Sequence, residues 1–288
     1  ALRNDTPLDA VPGLCFRRSN GTTKMAQPAH EQDLTELPLP AIDLVDNPSY
    51  RRNKRASAVV ITSRGCPMRC SYCCVGQNSA QPYRRRNIPD VIEEINYAVT
   101  EMGAGFIDFE DENLSLESSW FIELLKRIRG RFGHHHLELR AMNGIFPPSL
   151  TADAVAAMKG AGFKILNLSL GSTSRHQLEN FQRPDARAAF VKCLKWAAAQ
   201  NLEPVGYIIA GGPDQTPQSS IADLAFLAQR RVLVGLSIFY PAPGSRDYRR
   251  CQELGLLPAS FLAMRASALP IAQATSREQA VTLMRLSR

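Results

Sequence analysis

Arg64-Gly65-Cys66-Pro67-Met68-Arg69-Cys70-Ser71-Tyr72-Cys73 sets three cysteines in a C-x-x-x-C-x-x-C run, directly after a strand-like segment. Three thiolates this close on a short loop can hold three irons of a cubane and leave the fourth without a protein ligand. Iron–sulfur clusters are normally held by four cysteines. An uncapped iron is a place for a substrate or cofactor, on the logic that separates closed structural metal sites from open catalytic ones. A zinc knuckle would show a second pair or a histidine downstream at ligand spacing. Cys15, Cys193 and Cys251 instead stand alone. A redox C-x-x-C, Cys70 to Cys73, would have no use for Cys66. Cys74 reads as a packing residue, and His134-His135-His136 as a polar turn.

A strand–helix alternation sets in from Ala58. Strand-like runs are Ala58–Thr62, Phe106–Glu110, Leu137–Ala141, Lys164–Leu170, Val205–Ala210 and Val234–Tyr240. Helical periods lie between them, with cap residues at their starts: Asp90, Ser118 or Ser119, Thr151, Asp185, and Ser219 or Ser220. Gly103, Gly130 and Gly160 read as the stops of the first three. Strands alternating with helices imply a parallel sheet with right-handed crossovers. Eight such units close a barrel in about 250 residues, so six units in about 190 residues suggest a partial, open one. An open doubly wound sheet is the alternative that pattern alone leaves. The tail from Ser276 to Arg288 reads as an amphipathic helix packed over the barrel. Before Tyr50, Pro7, Pro12, Pro28, Pro38, Pro40 and Pro48 punctuate a stretch without a long apolar period. Residues 1–50 are therefore expected to be a connector or irregular cap, and 51–288 the barrel with a C-terminal helical segment.

The 288-residue chain carries a formal charge of +7 from scattered basic residues, with short runs at Arg51-Arg52-Asn53-Lys54-Arg55, Arg84-Arg85-Arg86 and Arg230-Arg231. A basic chain can meet RNA, but no aromatic-interleaved platform accompanies the charge. Solvated surface and contacts to an anionic cofactor are the preferred reading, and nucleic acid is not expected as a partner. No stretch approaches the ~20 apolar residues of a membrane span, and no signal peptide opens the sequence. Seven cysteines without a framework of paired spacings point to a reducing compartment, read as cytoplasmic.

The cysteine spacing, with aromatic Tyr72 just before the third cysteine, resembles the radical S-adenosylmethionine (radical SAM) superfamily over Ser57 to Gly255. That resemblance implies Cys66, Cys70 and Cys73 as ligands of a 4Fe–4S cluster, S-adenosylmethionine as second cofactor, and an electron donor such as flavodoxin or ferredoxin. It also implies an α/β fold, a partial (β/α)6 TIM-type barrel with an irregular N-terminal extension. Sites in such folds gather at the carboxyl ends of the strands. Glu110, Asp111 and Glu112 end the second strand, where the family receives the methionine ammonium, often on Gly-Gly-Glu; the glycines are replaced here. Arg140 and Asn143 follow the third strand and suit a carboxylate or a ribose hydroxyl. Ser169 stands where the family's fourth strand usually has an acidic ribose contact. Gly211 and Gly212 match the Gly-x-Ile-x-Gly stretch whose backbone approaches adenine. Tyr240 lies where the sixth strand would line the adenine side, and a structural Pro-rich turn is the equal alternative there.

Val11-Pro-Gly-Leu-Cys-Phe-Arg, Leu37-Pro-Leu-Pro-Ala-Ile-Asp and Phe239-Tyr-Pro-Ala-Pro-Gly-Ser-Arg-Asp-Tyr are similar to radical SAM proteins with an N-terminal cobalamin-binding domain. The sequence holds no Asp-x-His-x-x-Gly cobalamin motif. Three alternatives stand: a longer chain, a separate cobalamin-binding partner, or no cobalamin. The function expected is a radical SAM enzyme acting on an unspecified substrate, with methyl transfer if cobalamin is used. An electron-transfer iron–sulfur protein and a zinc-stabilised RNA-binding module are the readings from other classes.

Overall fold

Leu166, Leu168 and Leu170 alternate with Asn167 and Ser169, the two-residue period of a strand that buries one face. Similar runs make six barrel strands: β1 (Arg55–Val60), β2 (Ala104–Phe109), β3 (Glu138–Arg140), β4 (Ile165–Gly171), β5 (Glu203–Ala210) and β6 (Leu233–Ile238). The computed structural model describes residues 7–27, 33–45, 50–52, 54–76, 82–260 and 271–288, so Pro28, Pro48 and Asn53 lie outside the described residues. β1 pairs with β2, and β2 with β3, in parallel; β4 pairs with β5, and β5 with β6, likewise. Between β3 and β4 no ladder forms among the described residues, and the parallel bridges Leu139 to Phe163 and Ile145 to Leu168 connect the two halves. The strands therefore follow one another in space in chain order. A doubly wound sheet would reverse its order at a switch point, so that alternative falls. Among the described residues no ladder joins β1 to β6, and the barrel is open, as the six-unit pattern suggests.

Helices α1 (Ile88–Thr100), α2 (Ser118–Phe132), α3 (Ala152–Ala161), α5 (Arg187–Ala199), α6 (Pro217–Ala228) and α8 (Arg277–Leu286) pack against one side of the strands, while the short α4 (Arg175–Asn180) and α7 (Arg246–Glu253) meet the cysteine loop through Asn180 and Asp247. Val91, Ile95, Leu124, Leu125, Val155, Phe190 and Leu227 of these helices share one buried core with Val60, Ile107, Leu139, Leu168 and Ile208 of the strands. Several helix ends differ from the expected positions. Asn87 caps α1 and accepts from the Asp90 N–H, so the capping side chain is Asn87 rather than Asp90. Thr216, not Ser219 or Ser220, caps α6. Neither Gly130 nor Gly160 stops its helix; α3 ends against Gly162 at φ +118, a left-handed conformation that glycine takes without a Cβ clash. α8 begins in a capping box of Ser276 and Gln279, and buries Ala280 and Leu283 against the barrel core.

The opposite face of the strands is polar. Arg140 pairs with Asp108 across β3 and β2 and lies over the Phe106 ring. The Tyr207 hydroxyl donates to Asn167 Oδ1 at 3.2 Å. The Tyr207 ring fits because Gly235 of β6 has no side chain: a Cβ there would come within 1.9 Å of the ring. This inner face opens toward the strand ends, where the cysteine loop lies. Before the barrel, a short hairpin joins Cys15–Arg17 to Thr23–Met25, and Arg51–Arg52 folds back antiparallel onto the free edge of β1. Among the described residues no helix is long and apolar enough to cross a membrane.

Candidate functional site

Where β1 ends, Thr62 and Ser63 are fastened to the end of β2. The Thr62 N–H and hydroxyl donate to the Asp111 carboxylate at 3.1 and 2.7 Å, and the Ser63 hydroxyl donates at 2.5 Å. Ser63–Arg64 then pairs antiparallel with Arg84–Arg85, so the cysteine stretch that follows Arg64 leaves from a pinned end. Ser71 pins its middle. Its N–H donates to Phe181 O at 2.8 Å, its hydroxyl to Asp247 Oδ2 at 2.8 Å, and its carbonyl accepts from the Asp247 N–H at 3.0 Å. The Cys73 N–H closes a turn onto Cys70 O at 3.1 Å. A loop fixed at so many backbone positions presents its side chains in a defined arrangement.

Cys66, Cys70 and Cys73 line one wall of a cavity of about 180 Å³, whose other walls include Met68, Tyr72, Glu112, Asn113, Asn143, Phe146, Ser169 and Arg183. The cysteine loop thus meets side chains that follow β2, β3 and β4. Burial pushes the Cys66 thiol above its ordinary value, and neighbouring Cys70 and Cys73 push it the same way. Thiols that would repel one another as thiolates are the donor set a cationic cluster satisfies. Among the described residues, no three Cys, His, Asp or Glu side chains converge as a single metal ion would require. The buried Oδ1 of Asn113 has no hydrogen-bond partner among the described residues, while its Nδ2 lies 3.9 Å from Cys66 Sγ. The donor set and this unsatisfied wall fit a cluster with a polar ligand beside it.

Arg183 is the residue that sequence reasoning missed. It is 8 % exposed and reaches back from the loop between α4 and α5. Its Nη2 donates to Ser169 O at 2.6 Å and Ser169 Oγ at 2.8 Å, and its Nη1 to the Tyr72 hydroxyl at 3.0 Å. The same Nη1 lies 3.7 Å from Cys70 Sγ. Tyr72 packs edge-on against Phe181 with ring centroids 5.1 Å apart, and burial pushes its hydroxyl well above the ordinary tyrosine range. The only local signal for Arg183 was a basic residue before Pro184 in a helix–helix loop, and nothing in that pattern says which way the loop folds. Asn113, next in the chain after the three acids, also lines the cavity and was not singled out.

The other sequence candidates divide. Glu112 and Asn143 are exposed and line the cavity, and Ser169 joins them from β4. Asp111 does not: it is 3 % exposed, its carboxylate is taken up by Thr62 and Ser63, and burial holds its pKa above the ordinary value despite those bonds. Glu110 continues the β1–β2 ladder through its N–H to Val60 O and does not line this cavity. Arg140 is engaged with Asp108 on the inner face of the barrel, apart from Asn143. Gly211, at φ +74, and Gly212, packed against Phe181 with its N–H given to Gln215 Oε1, are buried and are not among the residues lining this cavity. Tyr240 lines an adjoining cavity of about 250 Å³ with Tyr72, Cys73, Ile209 and Phe239; Tyr72 and Cys73 form the wall common to both. Cys74 is exposed in that second cavity, so it is not the packing residue its apolar character suggested. His134 and His135 form an exposed turn after α2, as read.

The chain matches the radical SAM superfamily over residues 60–227, and it belongs to that family. An uncharacterized methyltransferase of Pyrococcus horikoshii is 26 % identical over 248 residues, covering 85 % of this chain and 53 % of its own. Bacteriochlorophyllide d C-12(1)-methyltransferase of Chlorobaculum tepidum is 24 % identical over 229 residues, covering 76 % and 48 %. This chain therefore spans about half the length of the curated relatives it matches. Among solved structures, the radical S-adenosylmethionine methyltransferase TsrM from Kitasatospora setae, with cobalamin and a 4Fe–4S cluster bound, superposes with a TM-score of 0.69 at 16 % identity, over 90 % of this chain and 52 % of that one. OxsB, a cobalamin-dependent S-adenosylmethionine radical enzyme with aqua-cobalamin and S-adenosylmethionine bound, gives 0.72 at 14 % identity, over 99 % and 47 %. At these identities the likeness is one of fold, and it agrees with the open barrel.

Proposed function

We propose that this chain is the radical SAM core of an enzyme, and that the reaction of the whole polypeptide is cobalamin-dependent methyl transfer. The first part is carried by one arrangement: three thiols on a pinned loop, facing Glu112, Asn143, Ser169 and Arg183 across a single cavity. Cys66, Cys70 and Cys73 would hold a 4Fe–4S cluster. Glu112 would accept from an ammonium, and the Ser169 hydroxyl, beside the positive charge of Arg183, would meet a carboxylate. Asn143 adds an amide at the rim, and Tyr72 closes the wall toward the second cavity, where Tyr240 and Ile209 offer an apolar lining for a purine. When bound, the cluster supplies the electron that breaks the sulfonium bond of S-adenosylmethionine and starts radical chemistry on the substrate; the protein positions the cofactors and excludes water. An electron-transfer protein would have no need of this polar wall.

Methyl transfer and cobalamin are supported by the names of the relatives and by the Pro-rich stretch before the barrel. Residues 1–50 are proposed as the connector from a cobalamin-binding domain, and 51–288 as the barrel with its C-terminal helical segment. A low-potential donor such as flavodoxin or ferredoxin would supply the electron, in a cytoplasmic setting that keeps the seven cysteines reduced. Joined to a cobalamin-binding domain, on its own polypeptide or as a second chain, the reconstituted protein is expected to pass the methyl group of methyl-labelled S-adenosylmethionine to cobalt. Label that never reaches cobalamin, while S-adenosylmethionine is still cleaved, would contradict the methyl-transfer reading and leave the radical SAM reading standing.

A further inference from the structure

Arg183 is a buried cation without a carboxylate. Among the described residues it forms no ion pair with Asp or Glu. Burying a charge without an opposite one is costly, so such a group implies an anion at the place it faces. Its orientation is fixed on every side. Nε donates to Leu170 O at 3.4 Å, Nη2 is held by both oxygens of Ser169, and the guanidinium lies over the Phe146 ring at 5.2 Å. Nη1 is thereby aimed between the Tyr72 hydroxyl and Cys70 Sγ, 3.7 Å away. The sulfur within hydrogen-bond reach of this fixed cation belongs to the middle cysteine of the triplet.

We propose that Arg183, by donating an N–H to Cys70 Sγ and placing a positive charge beside it, raises the reduction potential of the cluster held at Cys66, Cys70 and Cys73. The inference rests on the reading of those cysteines as cluster ligands. Reduction adds one electron to the oxidised cluster, taken from a low-potential chemical reductant, and makes the cluster with its three thiolates one unit more negative. A rigid cation and a hydrogen bond to a ligand sulfur stabilise the more negative state more than the less negative one; net charge, hydrogen bonds to sulfur and solvent exposure are what set such potentials. Because Ser169, Leu170 and Phe146 already hold the guanidinium, little of this stabilisation is lost to reorganisation when the electron arrives. Arg183 is in this sense a positioning residue for charge, and its effect exists before any S-adenosylmethionine binds.

The test is an anaerobic potentiometric titration with titanium(III) citrate and redox mediators, read by EPR, on reconstituted protein without S-adenosylmethionine. Iron content and visible absorbance are measured first. Arg183→Met with full iron is expected to lower the equilibrium constant for reduction at least tenfold, about 59 mV toward negative potential for a one-electron couple. Arg183→Lys, which keeps the charge but not the planar fork, is expected to fall between Met and wild type. Arg175→Met removes an equal charge from an exposed ion pair with Glu179 and is expected to leave the potential unchanged. An Arg183→Met, Arg183→Gln or Arg183→Lys protein that holds full iron and titrates together with Arg175→Met would overturn the proposal. Loss of iron from all three variants while wild type keeps it would also overturn it, in favour of a purely structural pillar. Wild-type protein that holds no cluster would instead overturn the ligand reading, and that result appears before any potential is measured.

Discussion

Replacing any one of Cys66, Cys70 or Cys73 with alanine is expected to remove nearly all the iron that reconstitution adds to wild type. Each thiol would bind its own iron, and the cavity offers no spare sulfur beside the three except Met68, a thioether and a weak ligand. Cys74 is exposed in the adjoining cavity, and Cys193 and Cys251 are fully buried in the protein body. Burial pushes the Cys193 thiol up to about 12 and the Cys251 thiol up to about 11, so both stay protonated at neutral pH and are poor metal ligands. Alanine at Cys74, Cys193 or Cys251 is therefore expected to leave iron content and EPR signal in place. A Cys74→Ala protein unable to hold a cluster would show that the triplet has been assigned one residue out of register.

Glu112→Gln is expected to weaken S-adenosylmethionine binding by tenfold or more while leaving the cluster intact, measured by anaerobic calorimetry or by the EPR change on titration. A hydrogen bond to a charged group is worth about 1.5–3 kcal/mol, and about 1.4 kcal/mol is a factor of ten in affinity. Glu112 faces the cavity with the three thiols. Glu110→Gln is expected to act in the same direction but less, since Glu110 sits on the inner face of the barrel and not in the cavity wall. Asp111→Asn should behave differently again: its carboxylate accepts all three bonds from Thr62 and Ser63, so its loss loosens the loop and shows as a lower melting temperature and poorer cluster retention. Affinity unchanged in Glu112→Gln and Glu110→Gln would move the ammonium site elsewhere.

The three acids at the end of β2 show where sequence reading stops. Glu110, Asp111 and Glu112 are chemically alike and adjacent, and their roles differ only through direction. A strand end turns successive side chains to different sides, so one meets the barrel interior, one the end of β1, and one the cavity. The strands themselves were legible because apolar period and cap chemistry agree across each unit. Helix ends were less so, since Gly130 and Gly160 are tolerated inside helices at a modest cost, and the true stop at Gly162 depends on backbone conformation. Strand order was only partly legible: the number of units favoured an open barrel, but a doubly wound sheet uses the same local pattern, and the bridges that place β3 rather than β1 beside β4 decide between them. Arg183 escaped because its partners come from two segments distant in sequence, Cys70 and Tyr72 from the cysteine loop and Ser169 from β4. Cys74 was misread because thiols are more often buried than exposed, and its neighbours in the adjoining cavity come from β5 and β6.

The measurement that bears most directly on the account is anaerobic reconstitution followed by incubation with dithionite and S-adenosylmethionine, with products separated by chromatography. Wild-type protein is expected to yield 5′-deoxyadenosine and methionine, and Cys70→Ala neither. A protein that takes up a full cluster, binds S-adenosylmethionine and still gives no 5′-deoxyadenosine above the Cys70→Ala background would contradict reductive cleavage at this site.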